Sequence, residues 1–192
     1  SRSPNASFTA VETATVLASL VHRSLLSPLP PLRPDGPSRF SQLVTIRSHS
    51  QTMLSAEQRR RLEHLRDEWV RNLAEDASLP GQVDEAAWYA RVDDDLAAVR
   101  ATLHHCLVQQ PNKIGAFVAP RLHHYLFYRG MLIELEHWSG LAARSAAGDP
   151  FDRLVAACCH LGVAAHLGDR GELSQQWLDE LDHYPHGLSL QN

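Results

Sequence analysis

The stretch Leu122–Trp138 reads LHHYLFYRGMLIELEHW and places aromatic, aliphatic and histidine side chains on both sides of Gly130. It holds three histidines, two tyrosines, a phenylalanine, a tryptophan and two glutamates. This set of residues allows two interpretations: a catalytic or metal site, or the turn between two helices of a repeat. The positions of its glycine and its tryptophan favour the repeat.

The same order of residues returns in VAAHLGDRGELSQQW (163–177), where Gly168 precedes Trp177. The two glycines are 38 positions apart and the two tryptophans are 39 apart. A period in this range, with a helix, a glycine turn and a second helix, is typical of tetratricopeptide-type hairpins. Each hairpin has an apolar face that only a stacked neighbour can cover, so the residues around Gly130 are predicted to pack. These are Tyr125, Leu126, Phe127, Leu132, Leu135 and Trp138.

Residues 55–183 are predicted to form this helical domain, with a tail at 184–192. Ser55 opens its first helix with a capping-box pattern. Asp84 is the predicted N-cap of the next helix, which carries the most regular amphipathic spacing. A further helix is predicted up to about Arg129, with Pro120 near its first turn or kinking it, and after the turn at Gly130 the next helix is predicted to end near Ala147. The sequence 148–150 (Gly-Asp-Pro) predicts one helix end and a new start at Pro150, and a last helix covers 171–182. The predicted buried stripes are Leu62, Leu65, Trp69 and Leu73 on the first helix, and Tyr89, Val92, Leu96, Val99, Leu103 and Leu107 on the second.

Residues 9–50 are predicted to be a partial winged-helix segment with a short β-hairpin. TAVETATVLASLVHRSLL (9–26) predicts a helix running into a strand. SPLPPLRPDGP (27–37) predicts an exposed loop without regular structure, and RFSQLVTI (39–46) a short strand. Residues 1–8 are expected to be disordered or foreign to the natural protein. Because they lack both an apolar signal core and an initiator methionine, we expect a fragment or a processed product.

Composition argues against three classes of protein: nucleic-acid-binding, disulfide-rich and membrane-spanning. The 192 residues carry a formal net charge of −4, and the pI near 6.3 argues against a nucleic-acid-binding surface. The three cysteines are odd in number and two are adjacent, which indicates a reduced, cytoplasmic chain rather than a disulfide framework. No apolar run approaches the roughly 18 residues that a membrane span needs, so no membrane contact is expected.

LASLVHRSLL (17–26), followed by a Pro/Gly loop and RFSQLVTIRSHS (39–50), resembles the end of the winged-helix domain of bacterial STAND-type (NB-ARC, SARP-like) transcriptional regulators. Val44 and Ser48 stand where that family has acidic residues. No P-loop pattern occurs in the chain, so the resemblance implies an ATPase core upstream of Ser1. The matching residues are Leu17, Leu20, Val21, Ser24, Leu25, Leu26, Arg39, Phe40, Leu43, Thr45, Ile46 and Arg47, then Trp88, Asp94, Asp95, Leu96, Tyr128, Arg129, Gly130 and Trp138.

The resemblance implies a non-enzymatic sensor and protein-interaction module of a larger ATPase-type transcriptional regulator. Its expected partners are the upstream ATPase domain or a protein partner, a small-molecule effector and a second copy of the chain. One alternative is a free-standing helical protein that binds a small molecule or a metal, or a cryptic enzyme. Another is DNA binding by residues 9–47, which only four arginines would serve, so direct DNA contact is not expected. These arginines are Arg23, Arg33, Arg39 and Arg47.

The predicted effector or partner groove follows from aligning the two hairpins. The first helices of each hairpin would line it with Phe117, His124, Tyr128, Cys158 and His166. No catalytic residue, cofactor or metal ligand is predicted. The ligand-type residues in the sequences 104–106 (His-His-Cys) and 158–160 (Cys-Cys-His) are consecutive, and consecutive side chains diverge by about 100° around a helix.

Overall fold

The computed structural model describes residues 9–31, 34, 36–77 and 84–168. Within these residues the chain is mainly helical, with eight α-helices, one π-helical segment and one two-stranded antiparallel sheet. This confirms the mainly all-α class and the short β-hairpin. No helix in the described residues is both long and apolar enough to cross a membrane. The chain divides into two compact units between Arg61 and Leu62, whereas the sequence placed the division near residues 50–55.

The elements of the first unit are, in chain order, α1 (Ala10–His22), β1 (Ser27–Leu29), β2 (Arg39–Ser41) and α2 (Val44–Met53). Helix α1 starts with a capping box, because the Thr9 hydroxyl accepts the Glu12 N–H and the Glu12 carboxylate accepts the Thr9 N–H at 2.9 Å. Strands β1 and β2 pair with Pro28 opposite Phe40. Neither α1 nor α2 contains a fully buried residue.

Two predictions for this unit are wrong in detail. The segment 27–37 was expected to lack regular structure, yet β1 begins it. Pro28 is tolerated there because a strand paired on one side leaves alternate N–H groups unpaired. The strand predicted over 39–46 ends at Ser41, and Val44 already begins α2. Since β1 offers only three residues for pairing, the ladder cannot extend further.

The second unit begins with an antiparallel helix pair, α3 (Ala56–Asp76) and α4 (Glu85–His104). The start of α3 precedes the unit boundary, and the predicted capping box at Ser55 is confirmed, with the Gln58 N–H donating to the Ser55 hydroxyl at 3.1 Å. Asp84 caps α4 as predicted. The predicted stripe of α4 is also confirmed: Val92, Val99, Leu103 and Leu107 are buried, and Tyr89 and Leu96 are partly buried against the core.

The buried stripe predicted for α3 is wrong except at Leu73. Leu62, Leu65 and Trp69 are exposed by 53%, 55% and 55%. The helix is rotated so that the carboxylate of Asp67 points inward. Asp67 lies on the same face of α3 as the buried residues that follow it in the sequence. The buried residues of α3 are Asp67, Val70, Leu73 and Ala74.

Four further helices follow a π-helical segment at the end of α4. The expected helix up to Arg129 is interrupted at Leu122, two residues after Pro120. Pro120 lies inside α5, where its missing N–H leaves the Ala116 carbonyl without an intrahelical donor, so the helix is weakened in the turn before the break. The elements are the π-helical segment (His105–Gln109), α5 (Lys113–Arg121), α6 (His123–Tyr128), α7 (Leu132–Arg144) and α8 (Pro150–His166).

Helices α7 and α8 form an antiparallel hairpin. Arg153 Nε donates to the Ala143 carbonyl at 3.2 Å, and the His160 ring lies 3.0 Å from the Glu136 carbonyl. Asp149 caps α8 and Pro150 is its first residue, as predicted. Helix α7 ends at Arg144, three residues before the predicted end near position 147. The predicted helix 171–182, the tail 184–192 and Trp177 lie outside the described residues.

The residues around Gly130 pack largely as predicted. Gly130 has a positive φ of 68°, which glycine adopts without a Cβ clash, and this bends α6 back to α7. Tyr125, Leu126 and Leu135 are buried in the core. Leu132 and Trp138 are partly buried against it, whereas Phe127 remains 45% exposed.

We predict that Gly115→Ala destabilises the second unit. A Cβ at this position in α5 would lie 2.7 Å from the Cys106 carbonyl oxygen and 2.7 Å from Leu107 Cγ. Because a backbone oxygen cannot rotate away, α5 must move off the π-helical segment. The expected loss in the free energy of unfolding is about 1–3 kcal/mol, measured by urea denaturation followed by circular dichroism.

Gly162→Ala is the matched control. Gly162 lies in α8, and nothing lies within 4 Å of a Cβ built there. Alanine in a helix interior is favoured over glycine by roughly 0.5–1 kcal/mol, so this variant should be slightly more stable than the parent. Equal effects of the two substitutions would contradict the close contact at Gly115.

Candidate functional site

The five residues predicted to line a groove lie on three helices of the second unit. Phe117 belongs to α5 and is partly buried against the core. His124 and Tyr128 belong to α6, and Cys158 and His166 to α8, and all four are exposed. The five are therefore accessible or close to the surface, but Phe117 has a different environment from the rest.

The ring contacts of these residues run to neighbours outside the predicted set. The Tyr128 ring lies 5.7 Å from that of Tyr89, and the His166 ring lies 5.7 Å from that of Phe127. Helix α6 thus meets the end of α8 through Phe127, which was assigned to the core. His124 contacts the adjacent His123 ring. The structure does not gather the five residues around a single described pocket.

A cleft of about 500 Å³ opens beside Phe117, the only predicted groove residue that lines it. The guanidinium of Arg121 stacks on the Phe117 ring at 3.5 Å, and that of Arg71 lies 5.2 Å from the ring centre. Two arginines therefore contact one aromatic ring, which keeps the ring in place. The residues that line the cleft are Arg71, Lys113, Ile114, Phe117, Ala146, Ala147, Gly148, Asp149, Pro150 and Asp152.

The acidic groups of the cleft are already engaged. Asp152 accepts from Arg121 Nη1 at 2.7 Å, and Asp149 accepts the Phe151 N–H at 2.9 Å where α8 begins. The cations are more available. Lys113 is exposed and has no ion-pair partner among the described residues, and Arg71 lies 3.5 Å from Glu75 at the surface. An exposed ion pair of this kind contributes little, so both cations can meet an anionic ligand.

A second cluster lies between α3 and the π-helical segment. The buried carboxylate of Asp67 approaches His105 Nδ1 at 2.7 Å and Cys106 Sγ at 3.4 Å through its Oδ2 atom. Its other oxygen, Oδ1, accepts from the Thr102 hydroxyl at 2.8 Å and from Arg66 Nη2 at 2.7 Å. All four neighbours thus compensate one buried charge.

This environment determines the protonation of the Asp67 carboxyl and of the Cys106 thiol. Burial alone would raise the pKa of Asp67, but hydrogen bonds from Arg66, Thr102 and His105 outweigh it and hold the pKa below its usual 3.8. Burial raises the pKa of the Cys106 thiol to about 12, helped by the nearby Asp67 charge. The carboxylate is therefore ionised at neutral pH and the free thiol is protonated.

The cluster does not have the geometry of a nucleophile–base–acid relay. His105 Nδ1 lies 2.7 Å from Asp67 and is also the ring nitrogen nearest to Cys106 Sγ, at 3.8 Å. A catalytic histidine uses one ring nitrogen for the nucleophile and the other for the acid. The protonated thiol and the shared nitrogen together favour a binding or structural role.

His105 and Cys106 approach one common atom although they are consecutive in the sequence, contrary to expectation. Their side chains leave the helix in different directions, but the Asp67 carboxylate lies between them and both reach its Oδ2 atom. The sequence holds one partial signal for this cluster, although the signal does not by itself select the buried face of α3. Asp67 falls in phase with Val70 and Ala74, at steps of three and four, so an acidic residue occupies a core position of α3.

Comparison of this chain with protein-family models, curated proteins and solved structures gives no match.

We predict that Thr102→Val lowers the free energy of unfolding by about 1–3 kcal/mol, because the buried Asp67 oxygen loses one donor. The carboxylate stabilises the fold at pH values above its usual pKa of 3.8, and this contribution is lost as pH falls through the lower folded-state pKa. Without the Thr102 hydrogen bond, the folded-state pKa of Asp67 is lowered less. The variant should therefore begin to unfold at a higher pH than the parent in an acid titration.

Thr102→Ser keeps the hydroxyl and is the matched control. It should retain most of the stability and the acid profile of the parent, apart from the loss of one buried methyl group. If valine and serine had the same effect on acid unfolding, the hydrogen bond from Thr102 would not contribute to the pKa of Asp67.

Proposed function

We propose that this chain is a non-enzymatic binding module, built of tetratricopeptide-like helical hairpins, whose cleft beside Phe117 receives an anionic effector or an acidic segment of a partner protein. The observation that carries the proposal is that two available cations, Arg71 and Lys113, line the same cleft as the fixed Phe117 ring. An aromatic face offers apolar contact area, and the cations select for negative charge.

Several features of the second unit support hairpins of the tetratricopeptide kind. Helices α7 and α8 run antiparallel, and the turns that follow α6 and α8 each contain a glycine with positive φ, Gly130 at 68° and Gly168 at 78°. These glycines are the two that the repeat of 38 positions relates. In such arrays each hairpin buries its apolar face against the next, and the surface between them binds ligands.

The regulatory context is the second part of the proposal, and it rests on the resemblance of residues 17–50 to STAND-type regulators. In that context the module would be a cytoplasmic sensor that contacts an ATPase domain encoded upstream. An effector bound in the cleft would favour one arrangement of that domain, provided that its affinity differs between the two arrangements. Pairing of two copies would add a second cleft.

The cleft is tested by binding of a fluorescein-labelled aspartate-rich peptide, with the asparagine version of the same peptide as the uncharged reference. We expect fluorescence anisotropy to give tighter binding of the acidic peptide. The double variant Arg71→Ala, Lys113→Ala should weaken that binding about tenfold or more, a loss of about 1.4 kcal/mol or more. The binding should also weaken with added salt.

Two control variants make the result specific. Arg60→Ala removes an exposed arginine of the first unit and should leave binding unchanged. His124→Ala combined with Tyr128→Ala tests the groove predicted from the hairpin alignment. A loss with this second pair but not with Arg71 and Lys113 would place the binding surface on α6 and reject the cleft.

The regulatory context has its own test, which is the reading frame that precedes Ser1. We expect it to encode a P-loop ATPase domain continuous with this chain. A start codon immediately before Ser1 would reject the regulator and leave a free-standing binding protein, without affecting the result for the cleft.

A further inference from the structure

A carboxylate, an imidazole and a thiol, three types of metal ligand, lie close together between α3 and the π-helical segment. Asp67 Oδ2, His105 Nδ1 and Cys106 Sγ all lie within 4.8 Å of one another, with separations of 2.7 Å for oxygen to nitrogen, 3.4 Å for oxygen to sulfur and 3.8 Å for nitrogen to sulfur. In a tetrahedral zinc site with bonds of about 2.0–2.3 Å, ligand atoms lie roughly 3.3–3.7 Å apart. Both sulfur separations are close to this range.

We propose that Asp67, His105 and Cys106 form a binding site for a zinc ion, which joins α3 to the π-helical segment. The one distance that must change is between Asp67 Oδ2 and His105 Nδ1, which would open by roughly 0.6 Å as the ion replaces the hydrogen bond between them. The three ligands leave one coordination position for water.

Groups around the three ligands hold them in the orientation that a metal requires. Arg66 and Thr102 both bind the Oδ1 atom of Asp67 and leave Oδ2 directed at His105 and Cys106. Outer groups that fix a ligating carboxylate in this way are a regular part of metal sites. The backbone also contributes, because the Asn112 N–H donates to the Cys106 carbonyl at 3.0 Å and fixes the end of the π-helical segment.

The second ring nitrogen of His105 is an independent indication. His105 Nε2 is buried and makes no hydrogen bond within the described part of the chain, and the nearest carboxylate is Glu63 Oε2 at 3.9 Å. A histidine that binds metal through one nitrogen usually donates the other N–H to a carboxylate. With zinc on Nδ1, the ring proton would be on Nε2 and face Glu63 Oε2, which must approach by about 1 Å from its present 3.9 Å to accept a hydrogen bond.

Two of the ligands supply negative charge for a divalent ion. The Asp67 carboxylate and the Cys106 thiolate carry one negative charge each, the Arg66 guanidinium adds one positive charge on the Oδ1 side of Asp67, and the thiol proton leaves to solvent when zinc binds. A thiolate with an imidazole and one carboxylate suits zinc, whereas magnesium and calcium require oxygen ligands. This site lies apart from the proposed function, because it uses neither Arg71 nor Lys113.

The test is a titration of the complete 192-residue chain, freed of metal with a chelator, with zinc in competition with a chromophoric chelator. We expect one zinc per chain, the release of a proton and a higher melting temperature with zinc. Titration with Co²⁺ should give the thiolate-to-metal charge-transfer absorption that identifies a cysteine ligand.

Cys106→Ser should abolish the charge-transfer band and weaken zinc binding at least about 100-fold. His105→Gln is the second ligand variant, in case serine disturbs the core, and circular dichroism confirms that each variant is folded. Cys158→Ser and His104→Gln change exposed residues of the same types and should bind zinc like the parent. No zinc binding by the folded parent would overturn the proposal, as would binding that survives in Cys106→Ser or is lost in Cys158→Ser.

Discussion

The buried carboxylate of Asp67 constrains how the second unit packs. A charge removed from water costs several kcal/mol unless it is paired and hydrogen-bonded, so α3 must bring Asp67 to its partners. Arg66 is on the same helix, but Thr102 and His105 belong to α4 and to the π-helical segment. The rotation and the register of α3 against α4 therefore follow from polar contacts as much as from apolar burial.

Other side chains of α4 bind the later helices and fix their positions relative to α3 and α4. Asp93 accepts from the Tyr125 hydroxyl at 2.7 Å, which ties α4 to α6. Arg100 binds the Glu134 carboxylate through two nitrogens, which ties α4 to α7. A bidentate pair of this kind fixes orientation as well as distance. These contacts thus join α6 and α7 to α4 within the second unit.

Local signals in the sequence predicted the helix boundaries that depend on nearby residues. Asp84 and Asp149 cap helices because a side-chain oxygen can reach the N–H groups two or three residues ahead, and Gly130 turns the chain by its own conformation. The face of α3 and the pairing of β1 could not be predicted in this way. Each depends on partners far along the chain, such as Thr102 for Asp67, and periodicity alone favoured the leucines.

The cleft and the ligand cluster share the elements that position them. Arg71 follows Asp67 by four residues and so lies one helical turn along the same side of α3. Lys113 is the first residue of α5 and follows Asn112, whose N–H donates to the Cys106 carbonyl. Both cations of the cleft are thus placed by backbone that is attached to the cluster. The cluster and the cleft therefore use different side chains of the same two segments, α3 and the junction between the π-helical segment and α5.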